Sequence, residues 1–262
     1  MTGPMHTAHA RTHSPSRCRA MLQVASLLTA AGSLQAQVTP DSLLRKAIAR
    51  LERPQRQVLL PALEWQARAV VHIPGRDIVL HGTWKVHPPD SAIVATFDTA
   101  RGPGSTQRMI LAGDRGWLQK DSKVTPMPSD DLTEERHQFY LYSLLQLTSL
   151  RRPGVRLRAV PPDANGHSGF RVQQRGRLPV TMYFDTTGRA THLSTTFATR
   201  GRGAGDAQEI FLSGTLDVEG TTWFRHLTIL RNGKPYFEME IATLYAVPRI
   251  ADTLFARLTR PH

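Results

Sequence analysis

From Trp65 the chain alternates apolar and polar positions with a period of two. Trp65, Ala67, Ala69, Val71 and Ile73 share one side, Gln66, Arg68 and His72 the other, and Pro74-Gly75 makes the turn. Ile78, Leu80, Trp84 and Val86 repeat the pattern, and Pro88-Pro89-Asp90 turns again before Ile93, Ala95 and Phe97. Gln107 to Leu111 and Gly116 to Lys120 follow the Gly102-Pro103-Gly104 loop, so five successive strands form a meander. Seven further strands are predicted at about Val155–Val160, Gly169–Gln174, Leu178–Phe184, Ala190–Phe197, Ala207–Val218, Thr222–Arg231 and Pro235–Val247. Asn165-Gly166, Arg175-Gly176-Arg177, Asp185 to Gly188, Gly201 to Gly205, Glu219-Gly220 and Asn232-Gly233 supply the turns.

Three segments have helical spacing. Thr39-Pro40-Asp41 can cap and open a helix whose Leu43, Leu44, Ala47, Ile48 and Leu51 share one face, and Arg53-Pro54 ends it. Asp131 and Glu134 have capping-box spacing ahead of Phe139, Tyr140, Leu141, Tyr142, Leu144, Leu145 and Leu147. Apolar residues nearly surround that central helix, so it must be covered on more than one side. Ala251 to Leu258 reads as a short terminal helix.

The first 36 residues follow a different rule. Arg11, Arg17 and Arg19 precede an apolar run, Met21 to Leu34, that small residues close, and no acidic residue occurs before Asp41. This is the pattern of a secretory signal peptide cut near Ala36, leaving residues 37–262 as one exported domain. Gln23, Ser26, Thr29 and Ser33 interrupt the run, which is too short to span a bilayer. The only cysteine, Cys18, precedes the run, so neither a lipid-modified precursor nor a disulfide framework is expected.

The 262 residues include 33 Lys and Arg against 21 Asp and Glu. Without the leader's three arginines, 30 basic residues remain and the excess is +9. The cations cluster at Arg151, Arg152, Arg156, Arg158, then Arg171, Arg175, Arg177, then Arg200 and Arg202, with only Phe170 among them. A single-stranded nucleic-acid groove would interleave aromatics for stacking, so solvated faces or anionic lipid headgroups are the better counterparts.

About a dozen antiparallel strands cannot stay flat, because twist curls a large sheet into a barrel or a deeply bent half-barrel. The fold expected is mainly β (α+β): a large curled antiparallel sheet covered by about three helices. Trp65, Trp84, Phe97, Trp117, Phe184 and Leu227 are assigned to its inner face, and Phe139, Tyr142 and Leu145 to the covering helix. Either the helices leave an apolar cavity, which suits a small molecule or acyl chain, or side chains fill the interior solid.

The order of leader, first helix, meander reaching Gly113-Asp114-Arg115-Gly116-Trp117, central helix and second meander resembles the lipoprotein-localisation-factor superfamily. Leu178 to Gly188, the hairpin at Glu219-Gly220 and Asp252-Thr-Leu-Phe255 are similar to that superfamily's later strands and end. The resemblance implies an unclosed half-barrel with helices as a lid, a cavity for acyl chains of lipoproteins or other lipids, and no catalytic residue. The long Arg-rich leader and the Gly/Arg loop at 200–205 depart from the pattern.

Catalytic motifs are weak. Gly166-His167-Ser168-Gly169 has phenylalanine where a nucleophile elbow needs its last glycine. His81 and His87 could share a strand face but have no evident third ligand for zinc. Asp130 with Asp131 and Glu134 with Glu135 are neighbours on a helix and do not face each other. The reading is a non-enzymatic exported carrier or chaperone, monomeric, without cofactor, metal or nucleic acid, whose partners are acyl lipids and membrane-bound donor and acceptor proteins. The alternatives are an envelope sensing or scaffold domain binding a protein partner through the same concavity, and an envelope hydrolase with a noncontiguous site.

Overall fold

Thr39 starts helix α1 (Pro40–Ala49): its hydroxyl accepts from the Ser42 amide at 3.2 Å, Pro40 takes the first helical position, and Leu43, Leu44, Ala47 and Ile48 are buried along one stripe. The computed structural model describes residues 39–51, 61–197 and 205–250. The leader at 1–36, the helix end at Arg53-Pro54, most of the 200–205 loop and the expected helix at 251–258 lie outside the described residues. Two α-helices rather than three are therefore seen among the described residues.

The second, α2 (Ser129–Leu145), begins with Pro128 at its cap and no side-chain cap. Asp130 and Asp131 lie in its first turn, so the expected capping box with Asp131 at its head does not form, and the two carboxylates act on the helix dipole instead. From Phe139 to Leu144 every residue is buried. The encirclement by apolar residues is thus met by packing on all sides.

Fifteen strands are present among the described residues where twelve were expected. The first meander is β1 (Ala62–Ile73), β2 (Arg76–His87), β3 (Ser91–Asp98), β4 (Gln107–Ala112), β5 (Arg115–Lys120) and the short polar β6 (Lys123–Pro126). After α2 come β7 (Val155–Val160), β8 (Ser168–Gln174), β9 (Val180–Phe184), β10 (Ala190–Phe197) and β11 (Asp206–Ser213). Two expected strands are each divided: a hairpin of β12 (Leu216–Val218) and β13 (Thr221–Trp223) leaves the sheet before β14 (His226–Arg231) and β15 (Lys234–Val247).

Thirteen strands make one antiparallel sheet in the order β6-β5-β4-β3-β2-β1-β15-β14-β11-β10-β9-β8-β7. The chain forms two meanders, and the last strand joins them by pairing along β1 from Ala62↔Val247 to Val71↔Phe237. Among the described residues β6 and β7 have no further strand on their outer sides, and the sheet does not close into a barrel.

The sheet bends around α2. A Cβ on Gly116 of β5 would lie 2.9 Å from Leu132, whereas His137 contacts Thr195 of β10 at 3.4 Å. Those strands are eight positions apart, about 38 Å in a flat sheet, while Leu132 and His137 are about 7.5 Å apart along the helix. Both helices pack on this inner face and share one apolar cluster with strands from β1 through β15. A small separate cluster of Ala62, Ile93, Ile110 and Ile250 lies on the outer face.

Candidate ligand-binding cavity

The inner face is filled at one end and hollow at the other. At the filled end Trp65 is fully buried, lies parallel to Trp84 with ring centres 6.4 Å apart, and meets Tyr142 edge-on at 5.7 Å. Trp223 and Phe224, at the end of the hairpin that leaves the sheet, pack at 6.3 Å against Tyr142, and Trp223 also lies 6.4 Å from Trp65. Such ring contacts add about 0.5–1.5 kcal/mol each beyond the area they bury, so this end is a fixed plug.

Beyond the plug is a cavity of about 810 Å³ between α2, from Glu134 to Tyr142, and strands β1–β6, β14 and β15. Leu80, Trp84, Val94, Met109, Ile229 and Phe237 supply its apolar floor. Phe139, Tyr142, Gln138, Glu134 and Glu135 line it from the helix, and Lys120 and Lys123 stand at its rim on the β5–β6 hairpin. Ligand sites are typically about 300–1,000 Å³, and this cavity has that size, with an apolar floor and a polar, charged rim.

The nine residues singled out in the sequence divide among several places. Trp84, Phe139 and Tyr142 line the cavity, and Trp65 lies in the plug behind Tyr142. Leu145 instead lines a separate hollow of about 70 Å³ with Leu51, Leu147, Leu212 and Phe224. Phe184 and Leu227 are buried in the inner cluster away from the cavity lining, Phe184 against Phe170 at 5.1 Å.

Phe97 and Trp117 belong to the outer face, which corrects their assignment to the interior. Apolar residues occupy successive positions of β3, and it is Ala92, Val94 and Thr96 that turn inward. Phe97 therefore stacks on His81 at 6.0 Å over an outer hollow of about 540 Å³. On β5 the inward places are taken by Gly116, whose lack of a side chain admits α2, and by Leu118. Trp117 consequently packs against the outer cluster.

Residues that the hydrophobic pattern did not flag set the electrostatics. Arg231 of β14 pairs with Glu134, lies over the Tyr236 ring at 3.5 Å and faces Phe197 at 4.7 Å, which ties the start of α2 to the sheet. Half-buried Glu135 has its carboxyl pushed up to about 7, by burial first and by neighbouring Glu134 next, with Arg231 opposing. Tyr142 is raised by burial, and Gln138 accepts from the Gln208 side-chain amide at 3.2 Å. On the buried flank of α2, desolvation and then Arg177 push His137 down to about 4, so it is a neutral hydrogen-bonding group.

Among the described residues, Asp163, His167 and Thr191 come nearest to a hydrolytic triad. Both the Asp163 carboxylate and the Thr191 hydroxyl contact the same ring nitrogen, Nδ1 of His167, each at 3.2 Å. A relay needs one partner on each nitrogen, so this trio braces the β7–β8 loop against β10.

No family sequence model and no curated protein sequence matches the chain. Solved structures do. A LolA-superfamily protein from Nitrosomonas europaea superposes with a TM-score of 0.52 at 11% identity, over 83% of this chain and 97% of that one. An outer membrane lipoprotein-sorting protein domain from Vibrio parahaemolyticus gives 0.54 at 12%, over 83% and 98%. A DUF1329-family protein from Desulfovibrio piger gives 0.51 at 10%, over 84% and 98%. The chain has the LolA-superfamily fold. At such identities the likeness is one of backbone arrangement.

Proposed function

We propose that the protein is a non-enzymatic carrier that shelters acyl chains of lipoproteins or lipids across the periplasm, reached after residues 1–36 direct export. The observation that carries this reading is the cavity of about 810 Å³ with an apolar floor between α2 and a LolA-type sheet. Each methylene removed from water contributes roughly 0.8 kcal/mol, so a long chain is retained by area alone and no reacting group is required. The rim is wet and charged, which suits a ligand with one apolar and one polar end.

Protein purified from its native host should carry acyl lipids detectable by mass spectrometry and should take up a fluorescent fatty acid. Met109→Trp, which places a large ring in the floor, should reduce uptake at least tenfold with the fold intact. A co-purifying polypeptide, with no lipid and no uptake, would replace the carrier reading with a sensing or scaffold role.

A further inference from the structure

The rim of the cavity carries a charge arrangement that the fold does not need. Lys120 and Lys123 are direct cross-strand partners at the end of the β5–β6 hairpin, and both line the cavity mouth. They share the register of Leu118 and Thr125, and Leu118 pairs with Met109, so the sequence from rim to floor is ammonium, then Leu118, then Met109. Like charges directly opposite on neighbouring strands are destabilising. Neither lysine has a carboxylate partner among the described residues. Glu134, on the facing helix, is already paired with Arg231, and Asp121 lies in the hairpin turn between the lysines. Leu118 is 40% exposed, an apolar step left open directly inside two unpaired cations.

We infer that the cavity selects amphiphiles with an anionic end group, a carboxylate or a phosphate ester, held between Lys120 and Lys123 while the chain runs over Leu118 and Met109. This rests on the carrier reading and adds the chemistry of the cargo's polar end. The charge that opposes the two ammonium groups in the free protein then comes from the ligand. Most of the gain is discrimination between end groups, because the chain contributes equally whatever head it carries.

The test is displacement of a fluorescent fatty acid from the full exported chain by oleate and by oleyl alcohol, which differ only in the end group. The wild type should bind oleate about tenfold more tightly than the alcohol, and salt should shrink the difference. The Lys120→Glu/Lys123→Glu protein should lose or reverse that preference while holding the alcohol as before, and Lys120→Gln/Lys123→Gln should lie between. Dioctanoyl phosphatidylglycerol against dioctanoyl phosphatidylcholine separates the two sources: a lysine-dependent preference there assigns the end group to a phosphate ester, and one confined to oleate assigns it to a free acid. An oleate-to-alcohol ratio unchanged by both double variants overturns the inference with the carrier reading intact. Failure of the wild type to bind any of the four ligands overturns the carrier reading itself.

Discussion

Arg177 and Asp90 form an ion pair of 2.8 Å although their turns belong to opposite halves of the sheet. Asp90 lies between β2 and β3 and Arg177 between β8 and β9, seven strand positions away, which would be about 34 Å in a flat sheet. The pair therefore measures the curl directly. Arg177 also lies 5.1 Å from the Tyr140 ring, so the contact holds two turns and the buried end of α2 together.

Removing this contact should cost little on one side and more on the other. Asp90 is 43% exposed, and a double-mutant cycle with Arg177→Ala and Asp90→Ala should give a coupling of about 0.5–1 kcal/mol in urea denaturation. Arg177→Ala alone should cost more than Asp90→Ala because it also removes the cation over Tyr140. A coupling of zero would mean that the two turns are not held together in solution.

Two glycines test the inner face at different depths. A Cβ at Gly82 would lie 2.4 Å from the Ala95 carbonyl oxygen, a backbone atom in the paired strand. At Gly116 the nearest atoms, at 2.9 and 3.1 Å, are the side-chain ends of Leu132 and Met127. Gly82→Ala should therefore cost about 3 kcal/mol or more and Gly116→Ala about 1–2 kcal/mol, as read from thermal or urea unfolding. Equal costs would contradict the seating of α2 over β5.

Glu135 gives a pH signature. Its carboxyl ionises near pH 7 in the folded chain, against an ordinary 4.5 once unfolded. Between those values the folded state holds the proton that the unfolded state has lost, so its contribution is complete below about pH 4.5 and falls as pH rises to 7. Glu135→Gln should accordingly raise stability by about 1–2 kcal/mol at pH 8 and leave it unchanged at pH 4. A variant that differs from wild type equally at both pH values would contradict burial as the cause.

The four tryptophans can report where a chain binds. Trp84 lines the cavity, whereas Trp117 packs on the outer face. In variants retaining a single tryptophan, a brominated fatty acid should quench Trp84 strongly and Trp117 only weakly. Equal quenching would place the chain elsewhere.

Turns and helix starts were legible because single residues decide them. Asn232-Gly233 and Glu219-Gly220 both take the left-handed backbone that their hairpins require, and Thr39 caps α1 through its own hydroxyl. The order and spacing of elements also led to the open antiparallel sheet, although only two of the three expected helices are seen among the described residues. The pairing of β1 with β15 was not legible, because contacts between the two ends of a domain leave no local pattern. Nor was the inner face of β3, where Ala92, Ile93, Val94 and Ala95 are all apolar and a shift of one residue exchanges the faces. That shift misplaced Phe97. Lys120 and Lys123 carry no signal in the sequence because the hydrophobic pattern predicts no strand at the short polar β6, and only its pairing with β5 puts the two side by side.

The most direct measurement is a crystal structure of the protein soaked with a terminally brominated fatty acid. The anomalous bromine peak should lie within the cavity between α2 and the sheet, near Leu80, Met109 and Phe139, with the carboxylate toward Lys120 and Lys123. Bromine found only on the outer face or at lattice sites, with the cavity unchanged, would contradict a carrier role.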